Sequence, residues 1–231
     1  MKVSAIIPAA GKGTRIGAAV PKQFLLLNGK PILSHTIEVF EKCGLVDSLI
    51  LVGPKKEVET ELGDWPNQSS IVREVVVGGE KRQDSVYNGF QAVDADTDIV
   101  IVHDGVRPFV TAEMIKDSVE AANQYGAAIV AVPVSDTIKQ SNPDGFIERT
   151  VDREGLWRVQ TPQAFQYGLL KEALEKASAD SFYGTDEGSL VERLGKKIKI
   201  VPGSELNIKI TRQEDLALGE SILGLTAPPR T

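Results

Sequence analysis

Short apolar runs, almost free of charge, alternate with longer amphipathic stretches, and that alternation limits the fold more than any other feature. The runs fall at residues 3–8, 48–52, 71–77, 98–103, 127–132 and 198–201. Each has the length of a strand, and near-continuous apolar character marks a strand covered on both faces. Residues 31–43, 54–62, 85–93, 112–125, 168–176 and 187–194 carry helix-like patterns between them. In the first of these, Ile32, Leu33, Ile37 and Phe40 form one stripe behind Pro31, which suits a first helical turn. The pattern predicts an α/β fold with a mainly parallel sheet and helices on both faces, three layers in all. Ligands of such sheets bind beyond the carboxyl ends of the strands. The segments to inspect are therefore residues 9–17, 78–82 and 104–107.

Composition narrows the class of function. The 231 residues suffice for one large domain, and 42% hydrophobic with 25% charged residues is ordinary for a globular protein. No apolar run is long enough to cross a bilayer, and the chain opens on a strand rather than an export signal. One cysteine, Cys43, excludes internal disulfides, which suits a cytoplasmic setting; it lies in an apolar helical stretch and reads as core packing. A net charge of −6 argues against a nucleic-acid binder. An acidic protein that gathers cations in a glycine loop points instead to an enzyme for a small anionic ligand.

That loop is Pro8-Ala9-Ala10-Gly11-Lys12-Gly13-Thr14-Arg15-Ile16-Gly17, followed by Pro21-Lys22. Glycine has no Cβ, so backbone N–H groups there can approach a phosphate closely. Arg15 and Lys22 bring two cations to the same place. The spacing matches neither common nucleotide motif. A dinucleotide fingerprint needs glycine at 16, where Ile16 stands, and no Gly-Lys pair is followed by Ser or Thr.

Other segments carry candidate chemistry. In Gly78-Gly79-Glu80-Lys81-Arg82-Gln83-Asp84-Ser85, Ser85 could cap a helix or donate to a base. In His103-Asp104-Gly105-Val106-Arg107-Pro108, Asp104 could hold a metal or a ribose hydroxyl. Arg107 could bind phosphate or pair with Asp104, and His103 reads as a packing or hydrogen-bonding residue. Thr185 and Asp186 precede a helix, and Thr211 precedes Glu214 at capping-box spacing. Lys209, between Ile208 and Ile210, is expected at a strand edge or facing a site. Residues 137–151 read as a polar hairpin around Pro143-Asp144-Gly145, too charged for the sheet and suited either to protrude against a second copy of the chain or to stand solvated at the surface.

Taken in order, several motifs resemble the 2-C-methyl-D-erythritol 4-phosphate cytidylyltransferase family. They are the glycine loop, Pro21-Lys22-Gln23-Phe24, Gly78-Gly79, Asp84-Ser85-Val86, His103-Asp104 and Arg107-Pro108. Further along stand Val151-Asp152-Arg153, Thr161-Pro162-Gln163-Ala164-Phe165, Thr185-Asp186 and Asn207-Ile208-Lys209. The resemblance runs from about Val3 to Leu218 and implies a Rossmann-like nucleotidyltransferase fold with a protruding hairpin arm. It implies a single domain over residues 1–225, a dimerisation arm at about 135–153 and a flexible tail at 226–231; a fused second enzyme, known in the family, is not expected because the chain ends soon after Leu218. The implied reaction transfers a cytidylyl group from CTP to methylerythritol phosphate, with Mg²⁺ and in a homodimer. Arg15, Lys22, Arg153 and Lys209 take the catalytic roles by resemblance. Ala9, Ala10, Gly11, Gly13, Gly79, Glu80, Ser85 and Asp104 would bind CTP, Asp104 lying near the metal unless the CTP phosphates alone carry it. Arg107, Thr137, Thr161 and Thr185 would line the phospho-sugar pocket, with Thr137 and Arg153 serving the neighbouring subunit. Two positions depart from the family pattern: Gly105-Val106, where alanines are usual, and Thr14, where a second cation is common. The rival expectations are a ribitol 5-phosphate cytidylyltransferase and a nucleotide-binding regulator without catalysis.

Overall fold

The structure, a computed structural model, describes residues 1–11, 20–63 and 69–226. Gly13, Thr14 and Arg15 of the glycine loop, and residues 227–231 of the expected tail, lie outside that set. β1 (Val3–Pro8) is followed by a 3-10 turn (Lys22–Phe24), a small pair β2 (Leu26–Leu27) and β3 (Lys30–Pro31), and α1 (Ile32–Lys42). Next come β4 (Ser48–Val52), α2 (Lys55–Leu62), β5 (Val72–Val76), α3 (Arg82–Gln91), β6 (Ile99–Val102), α4 (Ala112–Tyr125) and β7 (Ala127–Pro133). A hairpin of β8 (Ile138–Ser141) and β9 (Ile147–Val151) precedes β10 (Trp157–Gln166). The chain finishes with α5 (Tyr167–Ala179), α6 (Glu187–Arg193), β11 (Lys199–Pro202) and α7 (Gln213–Thr226).

Seven strands form one sheet in the order β11-β7-β10-β6-β1-β4-β5. β4 and β6 flank β1 in parallel, β5 continues beside β4, and β11 lies parallel to β7. β10 runs antiparallel to both β6 and β7, so it alone opposes the common direction. The mainly parallel sheet expected from the apolar runs is present, with that one reversed strand inserted near its middle.

Period-two alternation assigns the two faces. Ala5 and Ile7 of β1, Leu49 and Leu51 of β4, and Ile99 and Ile101 of β6 join one core with α1 and α4. Ile6, Ile50, Val52, Val100 and Val102 join the other, against α3, α5 and α6. Cys43 packs against the first core and donates its thiol to the Phe40 carbonyl at 3.0 Å, as its apolar surroundings suggested. Polar Ser4 is tolerated inside β1 because its hydroxyl meets those of Ser48 and Thr97, each at 2.9 Å.

The reversed strand has a positional consequence. Six strands end at one edge of the sheet, and β10 begins there. The hairpin is inserted between the end of β7 and the start of β10, so it springs from that same edge. Its base is closed by the Val134 N–H donating to the Leu156 carbonyl at 3.0 Å. Every residue of β8 is exposed, as is nearly all of β9, which is the protruding arm the polar pattern predicts.

Candidate active site

The site is built where β1, β5 and β6 end. After β5, Gly78 and Gly79 bend back over the start of α3. A Cβ on Gly78 would lie 2.3 Å from that of Ala10, and one on Gly79 would lie 2.3 Å from Asp84 Cβ. Glycine is therefore required for the two loops to approach this closely. The Gly79 N–H donates to Ser85 Oγ at 3.0 Å, and that hydroxyl donates to the Lys81 carbonyl at 3.2 Å. Ser85 is thus not the helix cap: α3 begins earlier, with Lys81 at its cap position, and Ser85 fixes the glycine turn from within the first turn. On the β1 side, buried Gln23 donates to the Ala9 carbonyl at 2.6 Å, placing the 3-10 turn and Lys22 beside Ala9, Ala10 and Gly11.

A cavity of about 170 Å³ results, lined by Ala9, Ala10, Gly11, Lys22, Gly79, Glu80, Ser85, Asp104 and Lys209. A second cavity of about 260 Å³ adjoins it and is lined by Arg107, Thr161 and Thr185, with Arg82, Asp104 and Lys209 shared between the two. The two linings together hold most of the site residues expected from the sequence. Thr137 and Arg153 are not among them: both are exposed on the arm, where Arg153 donates to the Ser135 carbonyl. Gly13 and Arg15 lie outside the described residues.

Asp104 is the hub. Its carboxylate is buried, and burial alone would raise its pKa. The charges of Arg82, Lys209 and Arg107 outweigh that and hold the group well below the usual carboxylate range. Lys209 Nζ is 2.9 Å from Oδ2, Arg82 Nε donates to Oδ1 at 3.1 Å, and Arg107 Nε donates to Oδ2 at 3.4 Å. Lys209 faces the site as its odd setting suggested, yet it lies in a non-strand segment. That segment is fixed by Asn207, which donates to the Thr161 carbonyl at 3.0 Å and accepts from Arg107 Nη1 at 2.7 Å through its own carbonyl. The Asp104 N–H in turn donates to Thr161 Oγ1 at 3.1 Å, so the reversed strand braces the hub directly.

Both Asp104 oxygens are thus engaged by cations, and a metal ion placed there would meet three positive side chains. Among the described residues no cluster of three or more His, Cys, Asp or Glu is gathered to hold a metal. The described residues therefore do not fit a protein-held metal.

His103 is wholly buried, packs at a tilt against Phe40 with ring centres 5.0 Å apart, and shares a 3.1 Å hydrogen bond with the Arg107 carbonyl through Nε2. Burial pushes its pKa down to about 4, so it is neutral at pH 7 and packs the strand end. The Gly105-Val106 departure has a local cause. A Cβ on Gly105 would lie 2.9 Å from Leu33 Cδ1 and 3.2 Å from Ile7 Cγ2, while Val106 fills a small apolar cluster with Leu27, Ile32 and Ile210.

Two residues of this site carried no sequence signal strong enough to select them. Arg82, the first residue of α3, lines both cavities, and Glu187, the first of α6, accepts from its Nη1 at 2.7 and 2.9 Å. A charged residue at a helix start is ordinary, and only their meeting across the cleft distinguishes them.

Comparison with known proteins agrees with this geometry. The model of the family described as IspD, 2-C-methyl-D-erythritol 4-phosphate cytidylyltransferase, matches residues 3–225. Proteins named 2-C-methyl-D-erythritol 4-phosphate cytidylyltransferase from Syntrophus aciditrophicus and Geotalea uraniireducens are 46% and 48% identical to this chain. The alignments cover 96% of this chain and 96% and 97% of those relatives. The crystal structure of 4-diphosphocytidyl-2C-methyl-D-erythritol synthase from Anaerococcus prevotii superposes with a TM-score of 0.85 at 32% identity, covering 96% of both chains. The cytidylyltransferase from Thermus thermophilus gives 0.81 at 32% identity, covering 97% of this chain and all of that one. The chain belongs to the 2-C-methyl-D-erythritol 4-phosphate cytidylyltransferase family.

Proposed function

We propose that the two adjoining cavities bind CTP and 2-C-methyl-D-erythritol 4-phosphate and join them, giving 4-diphosphocytidyl-2-C-methyl-D-erythritol and pyrophosphate for isoprenoid synthesis. The observation that carries this is the cation cluster around Asp104, which separates a glycine-lined nucleotide cavity from a threonine-lined one. Ala9, Ala10 and Gly11 face the triphosphate, which Gly13 also serves, and Gly79, Glu80 and Ser85 take the base. Asp104 holds the ribose side, and Arg107, Thr161 and Thr185 take the sugar phosphate.

The attacking phosphate oxygen is already an anion at neutral pH, so no general base is needed, which agrees with a buried, neutral His103. The obstacle is the approach of one anion to another. Arg15 and Lys22 counter the charge that develops at the α-phosphate, while Lys209 and Arg107 align the nucleophile for in-line attack. A divalent cation, Mg²⁺ by expectation, would arrive with the CTP phosphates and lower their charge.

Thr137 and Arg153 complete the cleft of a second copy, which makes the working form a homodimer joined through the arm. In support, the arm rises from the edge that bears the site, and Phe146 and Ile147 on it are 72% and 66% exposed. No described helix is long and apolar enough to cross a membrane. A cytoplasmic setting is the proposed one, with Cys43 as a free thiol.

The test is CTP- and Mg²⁺-dependent pyrophosphate release with methylerythritol phosphate and, separately, ribitol 5-phosphate. Turnover with the first alone is expected. Turnover preferring ribitol phosphate, or CTP binding without any release, would replace this function by one of its rivals. Lys22→Ala and Arg15→Ala should each lower turnover by about 10²–10³, the usual cost of one preorganised charge contact.

A further inference from the structure

The residues that begin α3 reach across to the loop that precedes α6 and to the first residue of that helix, at three places. Gln83 accepts from the Gly184 N–H at 2.9 Å and donates to the Phe182 carbonyl at 2.9 Å. Lys81 Nζ lies 3.4 Å above the centre of the Tyr183 ring. Arg82 meets both oxygens of Glu187 and, through Nε, Asp104. The first and third of these contacts involve hydrogen bonds of ordinary length, and only the third is buried at its acidic end, where Glu187 is 1% exposed.

The placement of these partners gives the contact meaning. Arg82 directly follows residues 78–81, the loop at the nucleotide cavity. Glu187 directly follows Thr185 and Asp186, which line the second cavity. Asp186 is itself fixed, capping α6 through the Ser189 N–H at 2.9 Å and accepting from buried Gln163 at 2.8 Å. The guanidinium therefore joins two loops that contribute to different half-sites, and it touches the Asp104 hub on the way.

We infer that Glu187 is a positioning residue: by holding Arg82 between the two cavities, it ties the nucleotide loop to the 182–187 loop, so that occupancy of one half-site orders the other. This rests on the function proposed above and extends it to a coupling between the two substrates. Removing the Glu187 charge leaves Arg82 with Asp104 as its remaining carboxylate partner among these contacts. Arg82 then pulls toward Asp104, in competition with Lys209 and Arg107, and the phospho-sugar side loses its alignment while the glycine turn, held by Ser85, stays. A displacement of the order of 1 Å at such a site costs about 10²-fold in rate.

The experiment compares wild type with Glu187→Gln, which keeps shape and removes charge, in two measurements. In amide hydrogen exchange with and without CTP, the wild type should show residues 182–187 slowed by about tenfold on CTP binding, and Glu187→Gln by less than about threefold. In steady-state kinetics, Glu187→Gln should retain CTP affinity within about threefold yet lose about 10–10² in kcat/KM for methylerythritol phosphate, mostly in kcat. A 182–187 loop that ignores CTP in the wild type, or responds equally in the variant, would overturn the inference. So would an equal loss of CTP affinity and turnover, since that is what a merely structural contact produces. Should Glu187→Gln not fold, Arg82→Lys, which keeps the charge but cannot span both carboxylates, is measured in the same way, and the same results support or overturn the tie. Wild-type protein inert toward methylerythritol phosphate would remove the proposed substrate, and the exchange measurement would still decide on the tie between the loops.

Discussion

At the level of single residues, the cleft depends on how charges are buried rather than on how many there are. Asp104 and Glu187 are both buried carboxylates, yet their ionisation is pushed in opposite directions. Three cations keep Asp104 low, whereas burial, with Asp104 and Asp186 adding to it, raises Glu187 against the pull of Arg82. His103 gives a cleaner pH dependence. Its imidazole titrates near 6.5 when unfolded and near 4 when folded, so between those values the unfolded chain binds more protons. Its contribution is present above pH 6.5 and is lost as the pH falls toward 4, by roughly 3 kcal/mol. The raised pKa of Glu187 acts with the opposite sign. Denaturant unfolding of wild type and His103→Gln across pH 4–7 should therefore show a shallower acid decline in the variant, and parallel curves would count against a buried neutral imidazole. Lys22, Lys209 and Asp104 can be picked out of the sequence because each sits in a short motif of unusual composition. Arg82 and Glu187 cannot, because what makes them special is a contact between residues 105 positions apart.

Among the elements, the parallel strands are legible in the sequence and the reversed one is not. Residues 3–8 and 48–52 stand out because their apolar runs give way to the glycine loop that opens at Gly11 and to Gly53. β10 is hidden because Gln160, Thr161, Pro162 and Gln163 interrupt it with the groups that brace Asp104 and Asn207. The strand is polar where it serves the site. α7 is hidden because its sequence does not sort into an apolar and a polar face, and the capping partner of Thr211 is Asp215, which accepts its N–H at 2.7 Å, instead of Glu214. The packing of α3 on the sheet also depends on a residue with no signature. A Cβ on Gly89 would lie 2.7 Å from both Ile6 Cγ2 and Val52 Cγ2. Overpacking there costs about 1–3 kcal/mol, against at most about 1 kcal/mol gained from the better helix propensity of alanine. Gly89→Ala should thus lower the unfolding midpoint in urea, and an increase would mean that α3 sits farther from β1 and β4.

For the molecule as a whole, the proposed exchange of Arg153 between subunits makes activity a property of the pair. Lys22→Ala and Arg153→Ala should each be nearly inactive alone. Mixed and allowed to exchange, half the dimers pair one variant with the other, and one of their two clefts then has both residues intact. Activity should recover to about a quarter of wild type by that symmetry, and no recovery would assign Arg153 to its own cleft or to none. The bond between Val134 and Leu156 bears on how such an assembly could diversify. Because the excursion leaves and rejoins the body at one closed point, its sequence can be exchanged between homologues like a cassette. A chimera cut at those two residues would inherit its choice of mate from one parent and its nucleotide chemistry from the other.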